Sequence, residues 1–430
     1  VQTCALPILD NYTKSRLEDE ILKAHSISYE VSDSNQIING KTNILVGVYG
    51  SGEAVDRYAE KYTLLTENLF SKTDSYFLVS DNNVITVLGK DTDSAFYGLT
   101  TLYHIFNQVT DNEIRNFKIE DYANVVTRGF IEGYYGNPWS VQDRADLMTY
   151  GGYYKLNAYF YAPKDDPKHR VQWRSLYTED ELKWIKQLAD AGNASKCRFV
   201  YEIHPFPGND AFGIGKDEAG YQKDLVDLKS KLKQVIDQGV RQVAILADDF
   251  ANPGGELGLR LVNDITNWLE NEVKLEYPDM KTTLPYVPYD YMGNGSGAEF
   301  TSLKEAPENV QLVQTGGRIW GEVTQNFSQT FKNNTGRSPY YWINWPCSDN
   351  SKSHLIMGGN DTFLHPGVDP TLIEGIMLNP MQQSEANKSA LFAVADYSWN
   401  IWKTKEQADK NWNDSFKYMD HNTAIETEAS

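Results

Sequence analysis

The chain carries 430 residues and a formal net charge of −19, a balance that argues against nucleic acid or an anionic membrane as partner, since either would repel it. With 40% apolar and 13% aromatic residues, it has ample material for a large packed core spread over two or three domains. Its three cysteines, Cys4, Cys197 and Cys347, are odd in number and far apart, which is neither a disulfide framework nor a metal-ligand cluster, and no run of 18 apolar residues offers a membrane span.

Taken in chain order, residues 1–10 are too short and too weakly patterned for a signal peptide, and 1–8 fit poorly with the pattern of the adjoining chain, so they are expected to lie outside the fold. The chain reads as an excised or processed piece whose compartment is not written in it. Residues 10–122 hold strand candidates at 43–48, 76–79 and 84–88 and helical stretches at 53–65 and 93–108, the pattern of a small α/β domain. From Arg128 the chain changes to a regular alternation, with strand candidates at 127–131, 157–161, 199–203, 243–247, 283–287, 310–313, 340–343 and 373–378. Between them lie amphipathic helices such as 179–191, opened by the capping box Thr178-x-x-Glu181, and 225–237, closed by Gly239. Eight strands alternating with helices over about 250 residues is the arithmetic of a (β/α)8 TIM barrel. An open doubly wound sheet is the competitor, but no glycine-rich turn comes after the first strand to cradle a dinucleotide. The barrel is expected at 123–403, and 404–430, acidic and poor in apolar residues, as the start of a truncated helical region.

In such a barrel the chemistry sits where strands run into their βα loops, and polar residues recur there. Strand one runs into Glu132-Gly133-Tyr134-Tyr135, strand two into Lys164-Asp165-Asp166, and strand five into Tyr289-Asp290-Tyr291. Strand six leads to Thr315-Gly316-Gly317, strand seven to the stretch from Asn344 to Asp349, and strand eight to Asn379-Pro380. Strand four is the most telling, because its apolar run ends directly in Asp248-Asp249. Adjacent carboxylates resist ionising together, so one is expected to hold its proton near neutral pH while the other stays charged, an acid and a base in one dipeptide. A turn or cap residue accounts for any one strand end taken singly; polar ends on seven strands are hard to explain as capping alone.

The segments 128–139 (RGFIEGYYGNPW) and 161–169 (YAPKDDPKH), the Asp248-Asp249 pair and Asn379-Pro380 resemble glycoside hydrolase family 84. That family holds β-N-acetylglucosaminidases, among them enzymes that remove O-linked GlcNAc from proteins and clostridial enzymes historically called hyaluronidases. The resemblance covers about residues 20–403 and implies a non-catalytic α/β domain at 10–122, a catalytic barrel and a helical C-terminal region. It implies that Asp248 orients and polarises the 2-acetamido nitrogen of the substrate, that Asp249 is the general acid and later the base, and that Asn344 hydrogen-bonds near Asp248 and fixes its geometry. Gly133, Lys164 and Asn379 are then the contacts on the 3-hydroxyl side, Asp349 the acceptor for the 4- and 6-hydroxyls, and Tyr291 a neighbour of the anomeric centre. Trp342 and Thr315 line the acetamido pocket. A carbohydrate substrate (a GlcNAc-containing glycan or glycoprotein), no metal, no organic cofactor, and a secreted or cell-surface bacterial setting complete what the resemblance implies. The chain departs from the family pattern at Tyr289-Asp290-Tyr291, at the segment beginning His204-Pro205-Phe206, and at Ile319, where Val is common; these bear on leaving-group preference more than on the reaction.

The residues support the same chemistry by themselves. A retaining glycosidase with two enzyme carboxylates holds them about 5 Å apart on opposite sides of the scissile bond, which neighbours on one strand tip struggle to do. They can serve one face, with the substrate's own acetamide oxygen as nucleophile and an oxazoline as intermediate. The 27 Tyr and 10 Trp supply flat apolar faces suited to sugar rings, although most belong to the core. His204 lacks a Cys or Ser partner and reads as a pocket wall or rim residue, His169 and His354 lack a second His four residues on, and Cys347 lacks a nearby base. The expectation is a retaining exo-β-N-acetylglucosaminidase; the alternatives are an endo-acting hyaluronidase-like hydrolase, which the charge of −19 disfavours, and a non-catalytic sugar-binding relative, which would lack the acid pair.

Overall fold

The computed structural model describes residues 2–5, 9–31, 37–62, 68–109, 113–206, 213–249 and 252–419. The chain divides into two compact units, Val1–Val126 and Thr127–Ser430.

The first unit is a six-stranded sheet in the order β2-β1-β3-β5-β4-β6, built from β1 (Gln2–Ala5), β2 (Glu30–Val31), β3 (Asn43–Val48), β4 (Tyr76–Asp81), β5 (Val84–Gly89) and β6 (Phe117–Asp121). The β4–β5 hairpin closes through Asn82-Asn83, both with positive φ (48° and 63°), the backbone that matches the twist of the flanking strands in a two-residue turn and that Asn tolerates. The expectation for residues 1–8 is corrected: the backbone of β1 pairs in parallel with β3, from Gln2 against Asn43 to Ala5 against Val46. A four-residue strand is too short to show its periodicity, and its place is set by a partner about 40 residues on. The helix expected at 53–65 is shorter, Ala54–Ala59 followed by a 3-10 turn at Glu60–Tyr62, while 63–67 lie outside the described residues. The second helix runs Thr92–Phe106, with the Asp91 side chain accepting from the Ser94 amide to satisfy one free amide of its first turn.

The second unit is a closed parallel barrel. Its strands are β7 (Thr127–Glu132), β8 (Ala158–Tyr161), β9 (Arg198–Ile203), β10 (Gln242–Leu246), β11 (Leu284–Val287), β12 (Val310–Gln314), β13 (Tyr340–Ile343) and β14 (Gly375–Leu378), and β14 pairs with β7 to close the ring. Each overlaps one of the eight expected strands, and the architecture is a (β/α)8 TIM barrel. Side chains alternate between interior and exterior along each strand. Phe160, Val200, Ala244, Leu246, Val313, Tyr340 and Met377 meet in the interior and fill it as a packed core. Helix Glu179–Ser195 opens with the expected capping box at Thr178 and Glu181, whereas the helix expected at 225–237 starts earlier, at Glu218, capped by Asp217. Beyond the barrel, Lys405–Ser415 is helical, and 420–430 lie outside the described residues. Among the described residues no helix is long and apolar enough to cross a membrane.

Candidate active site

The inward register of the strands carries past their C-terminal ends. Counting in steps of two from interior residues, Ala158 and Phe160 lead to Lys164, Ala244 and Leu246 to Asp248, Val313 to Thr315, Tyr340 and Trp342 to Asn344, and Met377 to Asn379. All ten residues named from the sequence line one cavity of about 380 Å³, formed where the strands run into their loops: Gly133, Lys164, Asp248, Asp249, Tyr291, Thr315, Trp342, Asn344, Asp349 and Asn379.

Asp248 is buried, and the nearly buried ammonium of Lys164 donates to its Oδ2 at 3.0 Å. Burial alone would raise this carboxyl's pKa, but the charge and hydrogen bond of Lys164 outweigh it and hold the group down at about 2. The same pairing keeps Lys164 above its usual value against the opposing effect of burial. Lys164 Nζ also lies 4.0 Å from Asp249 Oδ2. This modifies the expectation drawn from adjacency: a cation stands beside both carboxylates, and Asp248 is the firmly ionised one because of Lys164. Its second oxygen, Oδ1, is buried and accepts no hydrogen bond from the protein. A buried carboxylate oxygen left without a donor costs free energy unless a ligand supplies one.

Asp249 differs in backbone and in setting. Its φ is +58°, the left-handed region that non-glycine residues rarely occupy and that clusters at functional sites. The turn swings its side chain out of the barrel interior, where it is a third exposed. Tyr291 donates its hydroxyl to Oδ1 at 2.9 Å and Tyr135 donates to Oδ2 at 3.1 Å. One carboxylate is thus buried and fixed in its charge, and the other faces the cavity between two phenols.

A chain of amides organises the opposite wall. The Gly133 amide donates to Asn379 Oδ1 (3.1 Å), Asn379 Nδ2 donates to Asn344 Oδ1 (2.9 Å), and Trp342 Nε1 donates to the same oxygen (2.8 Å). Asn344 Nδ2 donates to the Ile319 carbonyl at 2.7 Å. The expectation that Asn344 secures Asp248 is corrected: its hydrogen bonds go to Trp342, Asn379 and the loop after β12, so it ties strands β13 and β14 to that loop. The Thr315 hydroxyl is likewise occupied, donating to the Arg318 carbonyl at 2.7 Å and lying 3.2 Å from the Tyr291 carbonyl. Asp349 Oδ1 accepts from the Tyr135 amide (2.8 Å) and from the Cys347 thiol (2.9 Å). Burial, with Asp349 beside it, pushes the Cys347 thiol up, which leaves it a donor and no nucleophile.

Sequence reasoning put Tyr135 at a strand end without a role and did not name Trp320. Tyr135 contacts both Asp249 and Asp349, and Trp320 lines the cavity mouth; both sit in loops, where period-two counting stops. His204, expected at the pocket wall, lies wholly buried beneath it. Its Nε2 donates to the Asp248 carbonyl at 2.7 Å and its Nδ1 accepts from the Phe206 amide at 3.3 Å, which fixes a neutral tautomer, and burial lowers its pKa to about 4. Beside it on β9, Glu202 is fully buried with neither carboxyl oxygen bonded, and burial next to Asp248 pushes its pKa well up. Inward parity from Val200 would have found both. Below the loop after β7, Arg144 grips Glu132 with two hydrogen bonds (2.7 and 2.8 Å), Tyr159 donates to Glu132 at 2.5 Å, and the Trp139 amide at 3.1 Å, a fully satisfied buried pair that anchors the Gly133–Tyr135 stretch. Among the described residues no group of three or more His, Cys, Asp or Glu could hold a metal ion.

A family model described as beta-N-acetylglucosaminidase matches residues 128–429, and one described as domain 2 of glycosyl hydrolase family 20 matches residues 5–122. The structure of CpGH84D superposes with a TM-score of 0.89 at 39% identity, over 97% of this chain and 68% of that one. The structure of CpGH84B does so with a TM-score of 0.79 at 25% identity, over 97% and 70%. Protein O-GlcNAcase of Rattus norvegicus is 27% identical over 291 residues, which cover 63% of this chain and 29% of that protein. The match thus spans under a third of the curated relative's length.

Proposed function

The chain belongs to the β-N-acetylglucosaminidase family, glycoside hydrolase family 84, and on that premise we propose that it is a retaining exo-β-N-acetylglucosaminidase acting on terminal β-linked GlcNAc of glycans or glycoproteins. The observation that carries this reading is the buried Oδ1, without a hydrogen bond from the protein, of an Asp248 held ionised by Lys164. Such an oxygen calls for an N–H donor from the ligand, and a 2-acetamido group has one.

With its N–H donated to Asp248, the acetamide turns its carbonyl oxygen toward the anomeric carbon. The bond from that oxygen to C1 forms as the bond from C1 to the leaving oxygen breaks, and Asp249 gives its proton to the departing oxygen. In the second half Asp249 takes a proton from water, the water oxygen attacks C1, and the oxazoline ring opens with net retention. Both proton transfers have a protein group, so the proposal invokes no metal and no organic cofactor. Secretion or display at a bacterial cell surface belongs to the same proposal and is supported by the resemblance to clostridial enzymes.

Replacing the N-acetyl hydrogens of an aryl β-GlcNAc by one, two and three fluorines withdraws electrons from the attacking oxygen, and kcat should fall stepwise. A rate independent of fluorination, or a glycosyl adduct trapped on Asp248 or Asp249, would show an enzyme nucleophile and overturn the mechanism.

A further inference from the structure

The loop from Thr315 to Glu322 is built to hold one aromatic ring at the cavity mouth. Gly316 and Gly317 both take φ of +89°, which lets the chain double back, and a Cβ on Gly321 would lie 1.8 Å from the Thr315 carbonyl oxygen, so the loop closes tightly on itself. Three successive carbonyls at its tip are tied down. That of Arg318 accepts from Thr315, that of Ile319 from Asn344, and that of Trp320 from Arg318 Nε at 3.0 Å. The Arg318 guanidinium is paired with Glu322.

At its tip stand Ile319, 47% exposed, and the partly buried Trp320, both lining the cavity. Tyr135 and Tyr291 have their hydroxyls on Asp249 and Trp342 its indole N–H on Asn344, whereas Trp320 makes no ring contact among the described residues. A partly exposed indole on a tightly closed loop, lining a polar cavity and with no aromatic ring packed on it among the described residues, offers a binding platform.

Charge and hydrogen bonding narrow what lies on it. Asp249 and Asp349 face the mouth, and Lys164, the one cation lining the cavity among the described residues, is committed to Asp248. An anionic ring would meet like charge without a free partner. An extended peptide binds largely through its main chain, yet the carbonyls of Arg318, Ile319 and Trp320 at the tip of this loop already accept internal hydrogen bonds. A neutral pyranose fits what remains: a flat C–H face for the indole, and hydroxyls at its edge for the exposed Asn350 that also lines the mouth. We infer that Trp320 is a specificity-determining residue that carries the leaving group, and that the leaving group is a neutral sugar ring rather than a uronic acid or a protein serine or threonine. This rests on the hydrolase reading above.

The test compares kcat/KM on three substrates that share the same terminal GlcNAc: β-GlcNAc fluoride, diacetylchitobiose, and a peptide carrying O-GlcNAc-serine. Trp320→Ala should lower the chitobiose-to-fluoride ratio about tenfold and leave the peptide-to-fluoride ratio unchanged, while Trp320→Phe keeps the chitobiose ratio within about threefold of the parent. A disaccharide with glucuronic acid as leaving group should be cut more slowly than chitobiose. An unchanged chitobiose ratio in Trp320→Ala, or a larger fall in the peptide ratio, overturns the inference. If the parent chain cleaves none of the three, fluoride included, the hydrolase reading itself has failed and this inference falls with it, an outcome distinct from the first two.

Discussion

Lys164 donates to one oxygen of Asp248 at 3.0 Å and leaves the other, Oδ1, buried without a hydrogen bond. The pairing is therefore half complete: it is strong enough to keep the carboxylate ionised inside the barrel mouth, and it reserves one acceptor for a ligand. A buried ion pair contributes little net stability, but removing one member is costly because the other is left charged without compensation.

Lys164→Met should expose that asymmetry. Asp248 has its folded pKa depressed to about 2 from the ordinary 3.8, so its contribution to stability is present above about pH 4 and is lost as pH falls toward 2, about 2 kcal/mol in all. Without the ammonium, burial pushes this carboxyl up, and the acid limb of kcat/KM should move to higher pH by a unit or more, with about 3–5 kcal/mol lost from stability at pH 7. Denaturant titrations and a pH–rate profile read both; an acid limb that stays put would remove Lys164 as the cause of Asp248's ionisation.

If Asp249 acts as proposed, Asp249→Ala removes the proton donor to the leaving oxygen while leaving Asp248 and the acetamide in place. Substrates with poor leaving groups should slow by about 10²–10⁴, and activated aryl glycosides far less. Equal losses over a leaving-group series would mean that Asp249 is not the acid.

The tyrosines that hold Asp249 allow a finer measurement. Tyr291→Phe deletes the 2.9 Å hydrogen bond to Oδ1; in the proposed mechanism that bond strengthens as Asp249 becomes a carboxylate on giving up its proton, and bonds to a charged acceptor are worth about 1.5–3 kcal/mol, so kcat should fall about tenfold or more with little change in thermal stability. A fall in Tm without a change in kcat would assign the hydroxyl to folding alone.

Gly133 offers a steric test. A Cβ there would sit 2.4 Å from Trp342 Cζ2, and the indole cannot give way freely because its N–H is held by Asn344. Gly133→Ala should cost about 1–3 kcal/mol by overpacking and cut kcat/KM, and Trp342→Phe in the same chain should restore part of the stability. Wild-type Tm in the single variant would show that the wall between β7 and β13 is looser than the distances say.

Asp349→Ala tests recognition of the terminal sugar. If Asp349 accepts from the 4- and 6-hydroxyls, as the resemblance implies, its loss should cost a few kcal/mol in kcat/KM, about 2–3 by the usual worth of hydrogen bonds to a carboxylate. Efficient cleavage within a polymer that has no terminal GlcNAc would favour an endo-acting enzyme over this assignment.

Much of this was legible in the chain. Strand identity came from short apolar runs, and eight of them at regular spacing left one closed arrangement, because period-two burial and helical crossovers are local properties of sequence. The Asp248-Asp249 dipeptide lay at a strand end for the same reason, and the resemblance named the rest of the rim. What the sequence could not reveal were pairings that barrel closure alone creates. Lys164 is 84 residues from Asp248, and only their meeting decides that Asp248 is the ionised member of the pair, which adjacency left open. Asn344 sits where expected, yet its amide goes to Asn379 and the Ile319 carbonyl, a choice among donors within reach that depends on ångström-scale placement. His204 and Glu202 were countable by parity from Val200, but their burial beneath Asp248 follows from how far the barrel interior extends. The left-handed turn at Asp249 and the place of Trp320 beside the cavity are products of backbone geometry and loop closure, which side-chain patterns do not encode, since distance in space is set by the closed sheet and not by separation along the chain.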